Sequence, residues 1–311
     1  MNLALTVNCW MDEELMFAQQ LGADQVLAEA IPKDANGLWD TDVLRSMRNR
    51  VEKAGLGLAG INQLPFPLEQ TIRGDIGRDT EIEAVCRFIE NAGVVGVPLL
   101  CYEWSPPGVV QITRSPDGRG GALVASAVRT NGSAAPSAPI EDYLLYFLER
   151  VLPVAEKAGV QLAYRPADVF IASSDGQTTL NSIEGVKRLM AAAASPSHGL
   201  DFRFSVFAGA PDADVIEAAR FFGSEGKLFL VTADNLRGSS PITEAFIDEG
   251  SIDLVSALRA CHEAGFTGAL RPGRQPVMTN DTDWGHKAQA LALGYLRALL
   301  QGLNALPSPL N

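Results

Sequence analysis

Two arginines, Arg271 and Arg274, stand three residues apart in GALRPGRQPVM, the stretch from Gly268 to Met278. They come where a short apolar run ends, in a protein whose formal net charge is −12. A guanidinium group has no lone pair for a metal, but its N–H donors match a carboxylate or a phosphate. These two cations are therefore candidates for binding a small anion, or for pairing with carboxylates of the protein itself.

The composition is that of a folded, acidic protein. Of 311 residues, 47% are hydrophobic and 20% are charged, which is typical of a globular chain with a sizeable core. The excess of 37 acidic over 25 basic residues disfavours binding to nucleic acid or to an anionic membrane. No apolar run is long enough for a membrane span, and the first residues lack the basic start of a signal peptide. We therefore expect a cytoplasmic homo-oligomer whose partner is a small anionic substrate.

Short apolar runs alternate along the chain with longer segments of helical period. The apolar runs predict eight strands, at residues 3–7, 25–28, 56–61, 97–102, 160–164, 200–204, 227–231 and 268–271. The amphipathic segments predict eight helices, at residues 12–21, 40–54, 78–92, 140–158, 182–194, 212–222, 252–264 and 284–303. Ala-Gly pairs at 54–55, 92–93, 158–159 and 264–265 predict where four of these helices end.

This alternation is the pattern of a single (β/α)8 barrel domain over residues 1–311, because parallel strands need helical crossovers. In such a barrel the active site is built from the loops that follow the C-terminal ends of the strands. One of these loops, residues 103–139, is unusually long. We interpret it as a lid or as a flap that reaches a neighbouring subunit.

Five stretches of the sequence, taken in order, resemble a known family. They are GLWDTDVLRSMRNRVEKAGLGLAGINQLP, IENAGVVGVPLLCYEWSP, LFLVTADNLRG, FIDEGSIDLVSALRACHEAGFTGALRP and GHKAQALALGYLRALLQGL, which together run from Gly37 to Leu303. They are similar to segments of bacterial mannonate dehydratases, which are xylose-isomerase-like TIM barrels. The resemblance implies the elimination of water from a sugar acid. It also implies a divalent metal such as Mn or Mg, held by a cysteine, two histidines and an aspartate.

The metal ligands that this resemblance implies do not carry over to the sequence. Arg165 stands where a histidine follows strand five, and Arg203 where a cysteine ends strand six. Thr232 stands at the second histidine, and Gly273 and Arg274 stand at an Asp-His pair after strand eight. Because arginine has no lone pair to give and glycine has no side chain, we predict that the metal is lost and that no cofactor is bound. The same conclusion follows from the three histidines, none of which ends a predicted strand: His198, His262 and His286.

The arginines at these positions are expected to point into one volume, where like charges repel. At about 4 Å and an effective dielectric constant near 20, each pair costs roughly 4 kcal/mol. The counter-charge comes either from carboxylates of the protein or from the anionic group of a ligand. The candidate carboxylates are Glu29, Glu103, Asp168, Asp201 and Asp234. The candidate substrate-binding residues are Asn8, Trp104, Arg165, Arg203, Arg237, Arg271 and Arg274.

An elimination without a metal also needs a base and an acid. An arginine cluster would stabilise the enolate-like intermediate that forms when a proton is removed next to a carboxylate. Glu103 and Asp234 are the candidate bases, and Tyr102 or Tyr164 is the candidate acid. Structural roles compete with these assignments, since Glu103 could pair with an arginine and Asp234 could cap a turn.

The sequence thus predicts a mannonate-dehydratase-like carbon–oxygen lyase of carbohydrate metabolism. Its substrate would be a sugar acid or a related carboxylated molecule, bound at an arginine-lined, metal-independent site. Two alternatives stay open, because a shared fold does not establish a shared activity. One is a catalytically inactive barrel that binds a ligand or has a regulatory role, and the other is a sugar isomerase or epimerase.

Overall fold

The computed structural model describes residues 1–34, 39–104, 110–129, 140–166, 180, 182–209, 214–238 and 242–305. Its strands, numbered in chain order, are β1 (Asn2–Asn8), β2 (Gln25–Glu29), β3 (Gly57–Ile61), β4 (Leu99–Glu103), β5 (Val110–Ser115), β6 (Val124–Arg129), β7 (Gln161–Arg165), β8 (His198–Arg203), β9 (Leu228–Ala233), β10 (Asn235–Arg237), β11 (Thr243–Ala245) and β12 (Ala269–Pro272). Its helices are α1 (Asp12–Gln20), α2 (Thr41–Lys53), α3 (Glu69–Arg73), α4 (Arg78–Val95), α5 (Ile140–Ala158), α6 (Ile183–Ala192), α7 (Phe204–Ala208), α8 (Val215–Ser224), α9 (Leu254–Glu263) and α10 (His286–Ala305).

Eight parallel strands form a closed barrel in the order β1, β12, β9, β8, β7, β4, β3 and β2. These are the eight strands that the apolar runs predict, with ends that differ by no more than two residues. The predicted (β/α)8 barrel is therefore confirmed. Among the described residues, no helix combines the length and the apolar character that crossing a bilayer requires.

Side chains alternate between the inside of the barrel and the layer between strands and helices, because a strand has a period of two residues. The interior is filled by a separate cluster of mostly small apolar residues, whereas the larger core lies between the strands and the helices. This alternation decides which residues near the strand ends reach the mouth of the barrel. The interior cluster consists of Ala4, Leu27, Ala59, Leu99, Cys101, Ala163, Leu230 and Ala269.

Three of the four predicted Ala-Gly helix ends are confirmed, and the fourth is wrong. Gly55, Gly159 and Gly265 follow their helices with φ of 71°, 67° and 85°, the left-handed conformation that glycine adopts without strain. Helix α4 instead continues through Gly93 and ends at Gly96, whose φ is 77°. A Cβ at Gly93 would lie 2.5 Å from the carbonyl oxygen of Ala158, so that glycine allows α4 and α5 to approach closely.

The long segment after β4 contains an antiparallel hairpin, which the sequence analysis did not predict. Strands β5 and β6 pair with each other, and β6 pairs with β11, so that β10, β11, β6 and β5 form a second, four-stranded sheet. Arg119 of the hairpin also donates to both carboxylate oxygens of Asp248, at 2.8 and 3.0 Å. The hairpin thus contacts its own chain beside the loops that follow β9 and β12. Its role as a lid stays a prediction, and residues 105–109 and 130–139 lie outside the described part of the chain.

Candidate active site

Asp201 is the centre of a buried polar cluster at the C-terminal ends of the strands. It lies on β8 and is fully buried. Its Oδ2 accepts hydrogen bonds from Arg165 Nε at 2.7 Å and from Arg271 Nη2 at 2.9 Å. Its Oδ1 accepts a third from the hydroxyl of Thr232 at 2.6 Å. One carboxylate therefore holds two guanidinium groups from opposite sides of its own strand, since β7 and β9 flank β8 and β12 follows β9.

Arg271 is fixed in this cluster by acceptors on several strands. Its Nε donates to Thr232 Oγ1 at 2.9 Å, and its Nη1 donates to Thr6 Oγ1 at 2.6 Å. Asn62 Oδ1 accepts from Arg271 Nη1 at 2.5 Å and from Arg165 Nη2 at 2.9 Å. The two arginines and their shared partners thus form a rigid cationic floor under the mouth, which we call the Asp201 cluster.

The charge state of Asp201 follows from these contacts. Burial by itself raises the pKa of this carboxyl group, because it disfavours the charged form. The positive charges of Arg271 and Arg165 and the hydrogen bonds from Thr232 and Arg165 outweigh burial and lower the pKa to about 2. Asp201 is therefore ionised at any pH at which the protein would work, and it serves as counter-charge rather than as a proton carrier.

A second ion pair joins Arg203 to Asp234. Arg203 Nε donates to Asp234 Oδ2 at 2.7 Å. Ser205 donates to the same carboxylate twice, from its backbone N–H to Oδ1 and from its hydroxyl to Oδ2, each at 2.9 Å. Asp201 and Asp234 thus supply the protein's own counter-charge that the sequence analysis named as one alternative. Asp168, another carboxylate named there, lies outside the described residues.

Gly273 gives Asp234 the room it occupies. A Cβ at Gly273 would lie 2.7 Å from Asp234 Oδ2 and 2.8 Å from its Cβ, well inside normal contact distance. No side chain fits at position 273 while Asp234 holds Arg203. Gly273 stands where the family resemblance implies a metal ligand. Its lack of a side chain leaves room for Asp234, the carboxylate that pairs with Arg203.

The residues at the expected ligand positions do not fit a divalent metal. Arg165 and Arg203 are cations in ion pairs, and the hydroxyl of Thr232 is engaged by Asp201 and Arg271. Among the described residues, no three His, Cys, Asp or Glu side chains are grouped as a metal site requires. Cys101 lies in the barrel interior, where burial raises the pKa of its thiol to about 12 and keeps it protonated. This donor set lacks the lone pairs that Mn²⁺ or Mg²⁺ needs.

Tyr102 and Tyr164 are not at the mouth, so the placement predicted for the catalytic acid is wrong. Both side chains are fully buried, with ring centres 5.4 Å apart. The preceding residues, Cys101 and Ala163, point into the barrel, so the tyrosines point into the layer next to the helices. The Tyr102 hydroxyl lies 2.8 Å from Nε2 of His198.

His198 is a core residue at the start of β8. It is fully buried, and its Nδ1 lies 3.0 Å from the carbonyl oxygen of Ala193. Since Nδ1 donates to that carbonyl, Nε2 accepts from Tyr102. Burial is the largest cause that lowers the pKa of His198, to about 4. The ring is therefore neutral near neutral pH and has a structural role.

Trp104 and Arg237 also lie away from the predicted binding site. Trp104 is 2% exposed and packs on Phe147 with ring centres 5.4 Å apart, so its face is not available for stacking on a polyol. Arg237 Nη2 donates to the backbone carbonyl of Asp117, and it thereby holds the hairpin after β4. The two side chains are thus used in packing and in loop attachment, which does not favour the predicted contacts with substrate.

Three further predicted site residues lie at the mouth, beside the arginines described above. Glu103 ends β4 on the same face as Leu99 and Cys101, whose side chains lie in the barrel interior. Asn8 ends β1, where its Oδ1 accepts from the backbone of Trp10 at 3.0 Å. Arg274 follows β12 and is half-buried. Both oxygens of Asp234 already accept hydrogen bonds, so this carboxylate serves as the partner of Arg203 and Ser205.

Sequence reasoning missed two polar residues of the mouth. Thr6 was visible as the one polar residue in the strand LALTV, at the inward parity shared with Ala4. Glu244, on β11, carries no such signal, since β11 belongs to the second sheet and its three residues show no period.

The fold and the mouth define a xylose-isomerase-like TIM barrel. The solved L-ribulose 3-epimerase matches with a TM-score of 0.67 at 16% identity, over 97% of this chain and 95% of that one. The mannonate dehydratase of Streptococcus suis serotype 2 matches with a TM-score of 0.85 at 20% identity, over 99% of this chain and 96% of that one. At such identities these likenesses establish the fold alone.

Sequence comparison establishes the family. The sequence model of the D-mannonate dehydratase (UxuA) family matches residues 8–117 and 134–307, so the chain belongs to that family. Mannonate dehydratase 2 of Halalkalibacterium halodurans is 25% identical over an alignment 340 residues long, which covers 94% of this chain and 96% of the relative. The mannonate dehydratase of Thermotoga maritima is 26% identical over 322 residues, which cover 89% and 88%.

Proposed function

We propose that this protein removes water from a sugar acid at an arginine-lined site that works without a divalent metal. Membership in the D-mannonate dehydratase family supports the reaction class. The single observation that carries metal independence is the chemistry of the donor set. Arg165 and Arg203 are ion-paired guanidinium groups at expected ligand positions, and Asp234 packs where a side chain at position 273 would stand.

The cationic groups at the mouth would replace the electrostatic function of an ion. Removing a proton from the carbon next to a carboxylate places negative charge on the carboxylate oxygens, and preorganised N–H donors lower the energy of that state. Arg203 is 15% exposed, whereas Arg271 is 9% exposed and engaged by four acceptors. We therefore assign substrate contact to Arg203 and Arg274, and assign Arg165 and Arg271 to the floor that positions them.

Glu103 would take the proton. It ends β4 opposite Arg165 in the β4–β7 register, so a carboxylate base stands beside the cationic floor. A base in this position removes the proton while the neighbouring guanidinium groups hold the substrate carboxylate.

The first experiment is turnover of a panel of sugar acids that includes D-mannonate, followed by formation of the 2-keto-3-deoxy product. Protein purified without added metal is assayed with and without a strong chelator, and its metal content is measured by elemental analysis. We expect turnover that survives the chelator. A stoichiometric transition metal, together with activity lost to the chelator, would show that metal independence is wrong.

Arg203→Lys tests the site itself, with Arg45→Lys as its control. Arg45 forms an exposed helix-surface ion pair with Asp42 at 2.8 Å, so its replacement is expected to leave kcat/KM unchanged. Lysine at position 203 keeps the charge but loses the guanidinium geometry, and we expect kcat/KM to fall about 100-fold. A ligand-induced rise in thermal stability without product would support the inactive ligand-binding barrel instead. If no sugar acid is turned over and none raises the thermal stability of the protein, the proposal is wrong.

A further inference from the structure

Glu244 is a buried carboxylate that the ion pairs of the mouth do not account for. It lies on β11, is 2% exposed, and pairs in register with Leu236 of β10. Its Oε2 accepts from the backbone N–H of Ala125 at 2.9 Å. Its Oε1 is buried without a hydrogen-bond partner among the described residues. An unsatisfied buried oxygen is unfavourable, because no hydrogen bond replaces the water that it loses on burial.

The charged groups around Glu244 come from three elements of the mouth. Arg274 follows β12, Asp234 follows β9, and Arg114 lies on β5 of the hairpin, and all three act electrostatically on the carboxyl group. Because β11 pairs with β10, and β10 begins directly after Asp234, the strand that carries Glu244 lies beside the mouth. Nearby, Gln275 Oε1 accepts from the backbone of Ile247, while its Nε2 is also buried without a partner in the described part of the chain.

The environment raises the pKa of Glu244 above its ordinary value. Burial is the largest influence and raises its pKa, and the negative charge of Asp234 acts in the same direction. The hydrogen bond from Ala125 and the charges of Arg274 and Arg114 oppose this rise but do not cancel it. When Glu244 is protonated, its Oε1, which has no hydrogen-bond partner among the described residues, can carry an O–H that donates to a ligand.

We propose that Glu244 is the general acid of the dehydration and donates its proton to the departing hydroxyl group. This inference rests on the proposed function. The base, Glu103, takes the proton from the carbon next to the carboxylate, and that electron pair forms the carbon–carbon double bond. The bond from the next carbon to its hydroxyl oxygen breaks, and the oxygen leaves as water with the proton of Glu244. The enol then becomes the 2-keto acid, and the proton held by Glu103 returns through solvent to Glu244.

The barrel topology gives the two carboxyl groups separate places. Glu103 ends β4, whereas the segment that carries Glu244 follows β9, and β7 and β8 lie between those two strands on the shorter way round the barrel. A base and an acid on different sides of the mouth can act on neighbouring carbons of one substrate. Glu244 would thereby supply the acid that Tyr102 and Tyr164 cannot supply from the helix layer.

Glu244→Gln tests the proposal, with Glu249→Gln as the matched control. Glutamine keeps an oxygen for the N–H of Ala125 but cannot transfer a proton. Glu249 also has a buried oxygen without a partner among the described residues, and it lies 4.0 Å from Arg119. With D-mannonate we expect kcat of Glu244→Gln to fall 100-fold or more, and kcat of Glu249→Gln to stay within threefold of the wild type.

A change of leaving group separates acid catalysis from a structural role. In a sugar acid whose departing hydroxyl is replaced by fluorine, loss of fluoride needs little proton donation, so the defect of Glu244→Gln is expected to shrink at least tenfold. Equal defects on both substrates, or a variant that keeps the wild-type rate on D-mannonate, would overturn the assignment. Absence of turnover in the wild type would overturn the proposed function and this inference together, so the two failures are distinguishable.

The wild-type protein gives an independent readout if Glu244→Gln does not fold. With the hydroxyl substrate, kcat is expected to fall as the pH rises through the pKa of the acid. With the fluoro substrate the same fall is expected to be absent. The same pH dependence for both leaving groups would contradict the role of Glu244 as a general acid.

Discussion

Replacing Asp201 by asparagine removes the negative charge that two buried guanidinium groups share. The wild-type contacts are 2.7 Å from Arg165 Nε and 2.9 Å from Arg271 Nη2, on a carboxylate that is fully buried. Breaking a buried ion pair by removing one partner typically costs 3–5 kcal/mol, because a charge is left uncompensated. Here two like charges would be left facing each other, so we expect about 4 kcal/mol or more of lost unfolding free energy.

Asp248→Asn is the matched control for this loss. Asp248 accepts two hydrogen bonds from Arg119 at 2.8 and 3.0 Å, but its side chain is 29% exposed and that of Arg119 is 49% exposed. Solvent screens such a pair, so its loss is expected to cost no more than about 1 kcal/mol. The two variants therefore compare similar contact distances at different burial.

The assay is equilibrium unfolding in urea, followed by circular dichroism at pH 7 and again between pH 5 and pH 2. The pKa of Asp201 is lowered to about 2 in the folded protein, so its contribution to stability is present above its ordinary pKa near 4. That contribution, about 2 kcal/mol, is lost as the pH falls from about 4 to 2 in the wild type and is absent in Asp201→Asn. If Asp201→Asn loses no more unfolding free energy at pH 7 than Asp248→Asn does, the buried ion pairs of Asp201 do not stabilise the protein more than the exposed pair.

Two further substitutions follow from packing and hydrogen bonding. Gly273→Ala places a Cβ 2.7 Å from Asp234 Oδ2, so we expect a loss of about 1–3 kcal/mol in urea unfolding and weaker binding of a sugar acid by calorimetry; unchanged values would contradict the close contact. Tyr102→Phe leaves Nε2 of the buried His198 without its donor at 2.8 Å, so we expect about 1–3 kcal/mol of destabilisation with kcat unchanged, whereas a stable variant with greatly reduced kcat would restore the tyrosine as a catalytic acid.

Guanidinium groups make the mouth of the barrel a cationic centre. The Asp201 cluster fixes two guanidinium groups within one hydrogen-bond network, much as a bound ion fixes its ligands. The pair of Arg203 and Asp234 adds a third guanidinium group, and Gly273 makes space for its carboxylate. Because Gly273 makes room for Asp234, an aspartate introduced at position 273 would collide with that carboxylate.

The sequence by itself determined the barrel and the location of its functional end. Parallel strands with helical crossovers leave a short apolar run followed by a segment of period 3.6, and the order of residues along the chain shows eight such units. It also determined that Arg165 and Arg203 are near the mouth, since both end apolar runs, and that Asp201 and Asp234 are available as counter-charge.

Only the tertiary structure decided which of two adjacent residues reaches the mouth and what each one contacts there. At the end of β4, Tyr102 turns to the helix layer and Glu103 to the mouth, because a shift of one residue reverses the face of a strand. Arg119 belongs to the segment after β4, and the second sheet brings that segment beside Glu244 and Asp248, which lie in the segment after β9. Contacts of this kind depend on register and on pairing between distant segments, which local periodicity does not encode.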